Sequence, residues 1–323
     1  MSYLAWRLYR VPGAIALGLL AAFAVLMLIT GVQVAGQWHS ALAACTTSHS
    51  CGNLPGRLFL GSHPVGFLVI LTLGIPAILG LLLGAPLVAA EAEAGTSVFA
   101  WTQGITRRHW LAVKAGWLLL AAAAVSAAIS ALVTWWSGPD NALQGDGFNP
   151  GRFDIMGVVP VAYSVFAVAL GITAGALLRR VVPAIGATLL GFIATRALIF
   201  GWARPHYMGA VTHAFGLTQS YTPAGAAWQV AAGVLTPGGT QLPVTDGPDI
   251  GPNISASAVP ASCHGLPDPA TLSCMQSAGF RQFVTYQPAD RYWIFQGIEA
   301  GIFVALAAVL LAVTFYVIRH RDA

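Results

Sequence analysis

The sequence predicts an all-α membrane protein of six transmembrane helices, with a loop-rich extracellular cap between the fifth and the sixth. Three observations carry that prediction. Of 323 residues, 57% are hydrophobic and only 8% charged, and the mean hydropathy is +0.73, which is the composition of a multi-span membrane protein. Apolar stretches that meet the length of about 20 residues needed to cross a bilayer recur along the chain. The basic residues cluster between those stretches on alternate connections, as the positive-inside rule requires.

Residues 1–12 place Trp6, Arg7, Tyr9 and Arg10 just before an apolar run over 13–35. A signal peptide has a shorter apolar core, about 7–15 residues, and a small-residue cleavage site. The run therefore reads as a retained first helix. Further spans fall near 65–90, 110–136, 155–178, 182–203 and 292–318. Six spans put both termini on one side, together with Arg7, Arg10, Arg107, Arg108, Lys114, Arg179, Arg180, Arg319 and Arg321, and that side is read as cytoplasmic. The expected organisation is helices 1–5 over 1–203 with a cytoplasmic coupling segment at 91–110, an extracellular loop region at 204–291, and helix 6 with a short cytoplasmic tail at 292–323. Use of Arg almost to the exclusion of Lys, with abundant Ala, hints at a GC-rich bacterial genome and hence a bacterial cell membrane.

The cysteines check this topology independently. Cys45 and Cys51 fall in the first outer loop and Cys263 and Cys274 in the last, so two local disulfides are the simple reading in an oxidising compartment. Metal binding with His39, His49 or His264 is the alternative, but the pairs lack the Cys-x-x-Cys spacing of zinc sites, and no metal is expected. In the last loop, Trp228–Leu235 followed by Thr236-Pro237-Gly238-Gly239 reads as a short strand entering a turn. Asn253-Ile254-Ser255 fits a glycosylation acceptor, a pattern common by chance.

Several function classes drop out. Charge is sparse and no nucleic-acid reading survives. The single lysine, Lys114, sits at the edge of an apolar run, so the chain holds no Gly-x-x-x-x-Gly-Lys-Ser/Thr phosphate loop. No Ser/His/Asp or His-x-x-x-His set converges, and no catalytic residue is assigned. Glu91 and Glu93, two apart on a helix, point about 200° from one another and do not make a carboxylate pair.

The polar connection at 91–110 is richer than a mere turn. Val98, Trp101 and Ile105 recur at spacings of three and four, which predicts an amphipathic helix from about Thr96, a break at Gly104, and a second helix capped by Thr106 that opens on the arginines. Such a segment reads either as a hydrated helix end or as an element on which a partner docks. Inside the membrane, Ser126, Ser130 and Thr134 line one face of the third span. They either bond within their own helix and its neighbours or line a pathway. Gly80-x-x-x-Gly84, Gly171-x-x-x-Gly175 and Gly297-x-x-x-Gly301 favour close helix contacts. Arg196 and Glu299 are the two intramembrane charges, each about 10 Å below the outer boundary by residue counting; equal depth suggests a direct or water-bridged pair, the alternative being that Arg196 snorkels to the outer headgroups and Glu299 meets water in a cavity.

Glu-x-Glu-x-Gly-Thr at 91–96, then Trp101-Thr102-Gln103, Thr106-Arg107-Arg108, Trp110-Leu111 and Lys114, resembles the segment after the second span in permease subunits of type 2 ABC exporters from actinobacteria. The similarity continues through Phe153-Asp154-Ile155, Val159-Pro160-Val161-Ala162-Tyr163, Gly175–Arg180, Arg204-Pro205-His206-Tyr207 and Gln287–Trp293. Order and spacing make the match specific, and only the outer loops are poorly matched. The resemblance implies a permease paired with a second such subunit, identical or not, and with two separate ATPase subunits that would carry ATP and Mg. Glu91, Glu93, Gly95, Thr96, Trp101, Gln103, Arg107 and Arg108 would belong to the coupling region resting on the ATPase. It names no substrate; a hydrophobic or amphipathic molecule fits an apolar cavity. Two rivals stand beside it: an ion-coupled secondary transporter, which needs ionisable residues along a path, and a non-transporting membrane scaffold or sensor.

Overall fold

The computed structural model describes residues 18, 21–33, 35–37, 39–40, 63–94, 107–137, 148, 150–219, 221, 223, 227–243, 260–264 and 266–320. The chain divides into two compact units, Met1–Gln144 with Phe153–Leu198 and Gln296–Ala323, and Gly145–Arg152 with Ile199–Phe295. Five helices are long and apolar enough to cross a membrane, Ile70–Glu93, His109–Trp136, Val159–Leu178, Val181–His206 and Ala289–His320. They coincide with the second to sixth expected spans. The first expected span, 13–35, overlaps a shorter apolar helix, α1 (Ala21–Gln37), and the rest of that stretch lies outside the described residues. The protein is a multi-pass membrane protein.

The first unit is built around one helix. α2 (His63–Leu79) continues through a π-helical turn at Gly80–Gly84 into α3 (Ala85–Glu93), and Ala85 N–H bonds to Gly80 O in the i→i−5 pattern. Pro86 near the start of α3 lacks the N–H that a regular ladder needs, so the widened turn lies where the α register is hardest to keep. α4 (Arg107–Trp136), α6 (Val159–Leu178), α7 (Val181–Leu198) and, from Gln296 onward, α9 (Tyr292–His320) follow, while the short α5 (Pro150–Phe153) belongs to the second unit up to Arg152. In α6, 72% of the apolar window is buried, against 17–39% in the other four spans, which makes it the central element. Leu79, Leu87 and Val88 meet Leu111 and Ala115 of α4, Val168 and Ile172 of α6, and Ile318 of α9 in the main core. Exposed Trp117, Leu120, Val182, Leu190, Val309 and Tyr316 lie on the outside of these helices, as expected where lipid tails replace water.

Two of the three glycine motifs bring helix backbones close together. A Cβ on Gly171 would lie 2.5 Å from Gly80 O, one on Gly175 2.5 Å from Ala85 O, one on Gly80 2.6 Å from Ala167 O and one on Gly84 2.6 Å from Val168 O. Gly80-x-x-x-Gly84 and Gly171-x-x-x-Gly175 therefore pack against each other within one chain, which sequence reading could not decide. Gly297 and Gly301 meet nothing within 4 Å.

The second unit holds a four-stranded antiparallel sheet in place of the loop-rich region expected. Its order is β1 (Val211–Phe215), β4 (Arg281–Gln287), β2 (Trp228–Leu235), β3 (Gln241–Pro243). β2 is the strand expected at 228–235, and the turn after it closes with Thr236 N–H on Thr240 O at 3.0 Å. The central strand β4 pairs Val211 with Tyr286 on one side and Val234 with Gln282 on the other. α8 (Asp268–Ser277) adds Met275 to a core of Leu217, Val234, Cys263 and Phe280. Cys263 and Cys274 form the expected disulfide, with Cα atoms 5.7 Å apart. Cys45 and Cys51, with Asn253–Ser255, lie outside the described residues. Phe148 brings its short segment into this unit by edge contacts to Tyr292 and Phe295 and a tilted contact to Trp228. Gln287 is fully buried. It donates to Met208 O and accepts from Arg291, which also donates to Gly209 O, so the 287–291 motif clamps the approach to β1.

Candidate functional site: the end of α3 and a buried charge cluster

The carboxylates that close α3 reach into their own bundle. Glu91 forms an ion pair with Lys114 of α4, and the Lys114 ammonium also lies over the Trp110 ring, 4.4 Å from its centroid. Glu93 accepts the backbone N–H of Val181 through Oε2 at 3.0 Å. Val181 is the first residue of α7, whose opening N–H groups have no partner within the helix and whose dipole favours a negative charge there. The chain reaches that point by a tight reversal: Arg179 takes a left-handed φ of 53° and its N–H returns to Gly175 O. Arg180 then supplies the carbonyl that Ala184 N–H uses. Of the residues expected in the coupling region, Glu91 and Glu93 are thus held by α4 and α7. Arg107 and Arg108 open α4. Gly95, Thr96, Trp101 and Gln103, with the amphipathic helix expected around them, lie outside the described residues.

The second cluster is buried among α6, α7 and α9. Arg196, in the last turn of α7, bonds through Nη2 to Asp154 Oδ2 at 2.7 Å, with side-chain exposures of 17% and 7%. Its guanidinium carbon lies 4.0 Å from the centroid of the Tyr163 ring, a cation–π placement. The Tyr163 hydroxyl stands between two carboxylates, within hydrogen-bond distance of Asp154 Oδ1 at 3.0 Å and of Glu299 Oε1, and its single proton serves one of them at a time. Tyr163 and Glu299 are both fully buried. Arg196 and Glu299, matched by depth alone, are therefore joined through Asp154 and Tyr163. Asp154 lies one residue before the expected fourth span, 155–178, and its place in the motif Phe153-Asp154-Ile155 is the clue the sequence offers.

One turn before Glu299 on the same face of α9, Gln296 uses its whole amide. Oε1 accepts from the N–H groups of Val158 and Val159 at 3.0 and 2.9 Å, and Nε2 donates to the carbonyls of Phe153 and Met156 at 3.1 and 3.2 Å. This caps α6 from another helix. Gly157, with φ of 76°, allows the approach, since a Cβ there would sit 2.7 Å from Gln296 Oε1. Ser126 and Ser130 are buried and donate to the carbonyls of Pro160 and Gly157 at 2.9 and 2.8 Å, while exposed Thr134 bonds back to Ser130 O. Both serines therefore hold α4 against the start of α6. Among the described residues, these bonds tie α4, α6, α7 and α9 to one another.

Residues 17–204, more than half of the chain, match the family described as ABC-2 membrane transporter related. No curated protein and no solved structure gives a significant match.

Proposed function

The chain belongs to the ABC-2 membrane transporter related family, and we propose on that premise that it is the permease subunit of an ATP-driven exporter whose ATP is bound, with Mg, by separate ATPase chains. The observation that carries this reading is the construction of the α3–α4 end. Two glutamates anchor α3 to α4 and α7; on this reading the partner docks on the connection that follows them in sequence, with Trp101 and Gln103. That side of the bundle carries Arg107, Arg108, Lys114, Arg179, Arg180 and Arg319, which supports a cytoplasmic assignment for it and for both termini. A second permease subunit would complete the pathway for a hydrophobic or amphipathic substrate, and the second unit of the chain would form the extracellular portion.

Among the described residues the ion-coupled reading finds one buried cluster of ionisable groups, Asp154, Arg196 and Glu299, and a buried Arg204, where a relay needs a series of such groups across the bilayer. The test of the preferred reading is Trp101→Ala. It is expected to release the ATPase from the isolated complex while membrane insertion stays intact. A Trp101→Ala chain that assembles with the ATPase and supports the wild-type hydrolysis rate contradicts the docking role.

A further inference from the structure

Glu93 was expected to face a partner, yet its carboxylate accepts a hydrogen bond from Val181 N–H at the start of α7. Beside that bond Ala85 and Ala89 of α3 cluster with Ala184 of α7 and Ala174 of α6, with half-buried Val181 and Ile185 at the margin. Alanine faces allow close backbone approach. The Glu93 bond adds a directional link between the two helices. α7 then runs without a break to Arg196 in its last turn, roughly 22 Å away at about 1.5 Å per residue. There it meets Asp154 and the Tyr163 ring.

We infer that Glu93 is a positioning residue that makes α7 move with the end of α3, so that displacement of the docking connection is delivered along α7 to the Arg196–Asp154 pair. Glu91 does the same for α4 through Lys114. This inference rests on the permease reading, because it needs an ATPase to displace the connection. It assigns Glu93 a role separate from ATPase contact: the residue transmits movement and does not bind the partner. A helix behaves as a stiff rod over this length, and a polar bond at one end with an ion pair at the other turns a shift at one boundary into a shift at the other.

The test uses the full complex isolated from membranes, with Glu93→Ala and Glu93→Gln, read by hydrogen exchange. Without nucleotide, Glu93→Ala is expected to speed exchange in the first turn of α7 by roughly fivefold, the usual scale for a lost N-terminal cap. Glu93→Gln, which keeps an acceptor oxygen, is expected to stay near wild type. On addition of ATP with orthovanadate, the wild type and Glu93→Gln are expected to change exchange around Arg196 by roughly threefold to thirtyfold, the range of measured couplings. Glu93→Ala is expected to keep its ATPase and lose that change. Unaltered exchange in the first turn of α7, or a wild-type nucleotide response in Glu93→Ala, overturns the inference alone. So does release of the ATPase by Glu93→Ala, which would place Glu93 on the docking surface. A wild-type chain that isolates without any ATPase overturns the parent reading and this one with it.

Discussion

Arg196 shows how far residue counting reaches into a bundle. Depth along a helix is one coordinate, and it matched Arg196 to Glu299; the angle around each axis is a second, and it set Asp154 beside the guanidinium with Tyr163 between the carboxylates. That second coordinate depends on how helices pack, which no single helix encodes. Removing one member of a buried pair leaves an uncompensated charge at a cost of about 3–5 kcal/mol. Arg196→Ala and Asp154→Ala are each expected to lower thermal stability in detergent on that scale. The double variant is expected to lose less than the sum by about 0.5–3 kcal/mol, and strict additivity would remove the interaction. Gln296 was not singled out from sequence, since one glutamine in an apolar helix has many uses. Here it satisfies four backbone groups at once, so Gln296→Leu, similar in size but without polar atoms, is expected to cost at least about 2 kcal/mol by the same assay.

At the scale of elements, the spans were legible because a bilayer demands length and apolarity, and both can be read locally. Pairing was not. The three Gly-x-x-x-Gly motifs look equivalent in sequence, yet two interlock and the third faces open space. Gly171→Ala is therefore expected to destabilise the bundle by about 1–3 kcal/mol through overpacking against Gly80 O, whereas Gly301→Ala should stay within about 0.5 kcal/mol. Equal effects would contradict the packing described. The sheet escaped for a related reason. β2 was visible from its own residues and its turn, but β1 finds its partner β4 about 70 residues further on, beyond the reach of a local pattern. The Cys263–Cys274 bridge closes a short loop beneath that sheet. Replacing both cysteines with serine is expected to cost about 3 kcal/mol on loop-entropy grounds, measured as earlier loss of hydrogen-exchange protection in β4.

For the whole molecule, composition was enough to class the chain as a multi-pass membrane protein, and ordered motifs from Glu91 to Trp293 were enough to suggest its family. What neither reveals is how energy enters. With a single lysine and no phosphate loop, the chain has no residues to hold ATP in the usual way, so the account depends on a partner. The direct measurement is isolation of the tagged chain from its own membranes under native conditions, followed by identification of the co-isolated chains and a nucleotide hydrolysis assay. A stoichiometric soluble ATPase and vanadate-sensitive hydrolysis are predicted. A chain that isolates alone, or only with copies of itself, and hydrolyses no nucleotide would contradict the account.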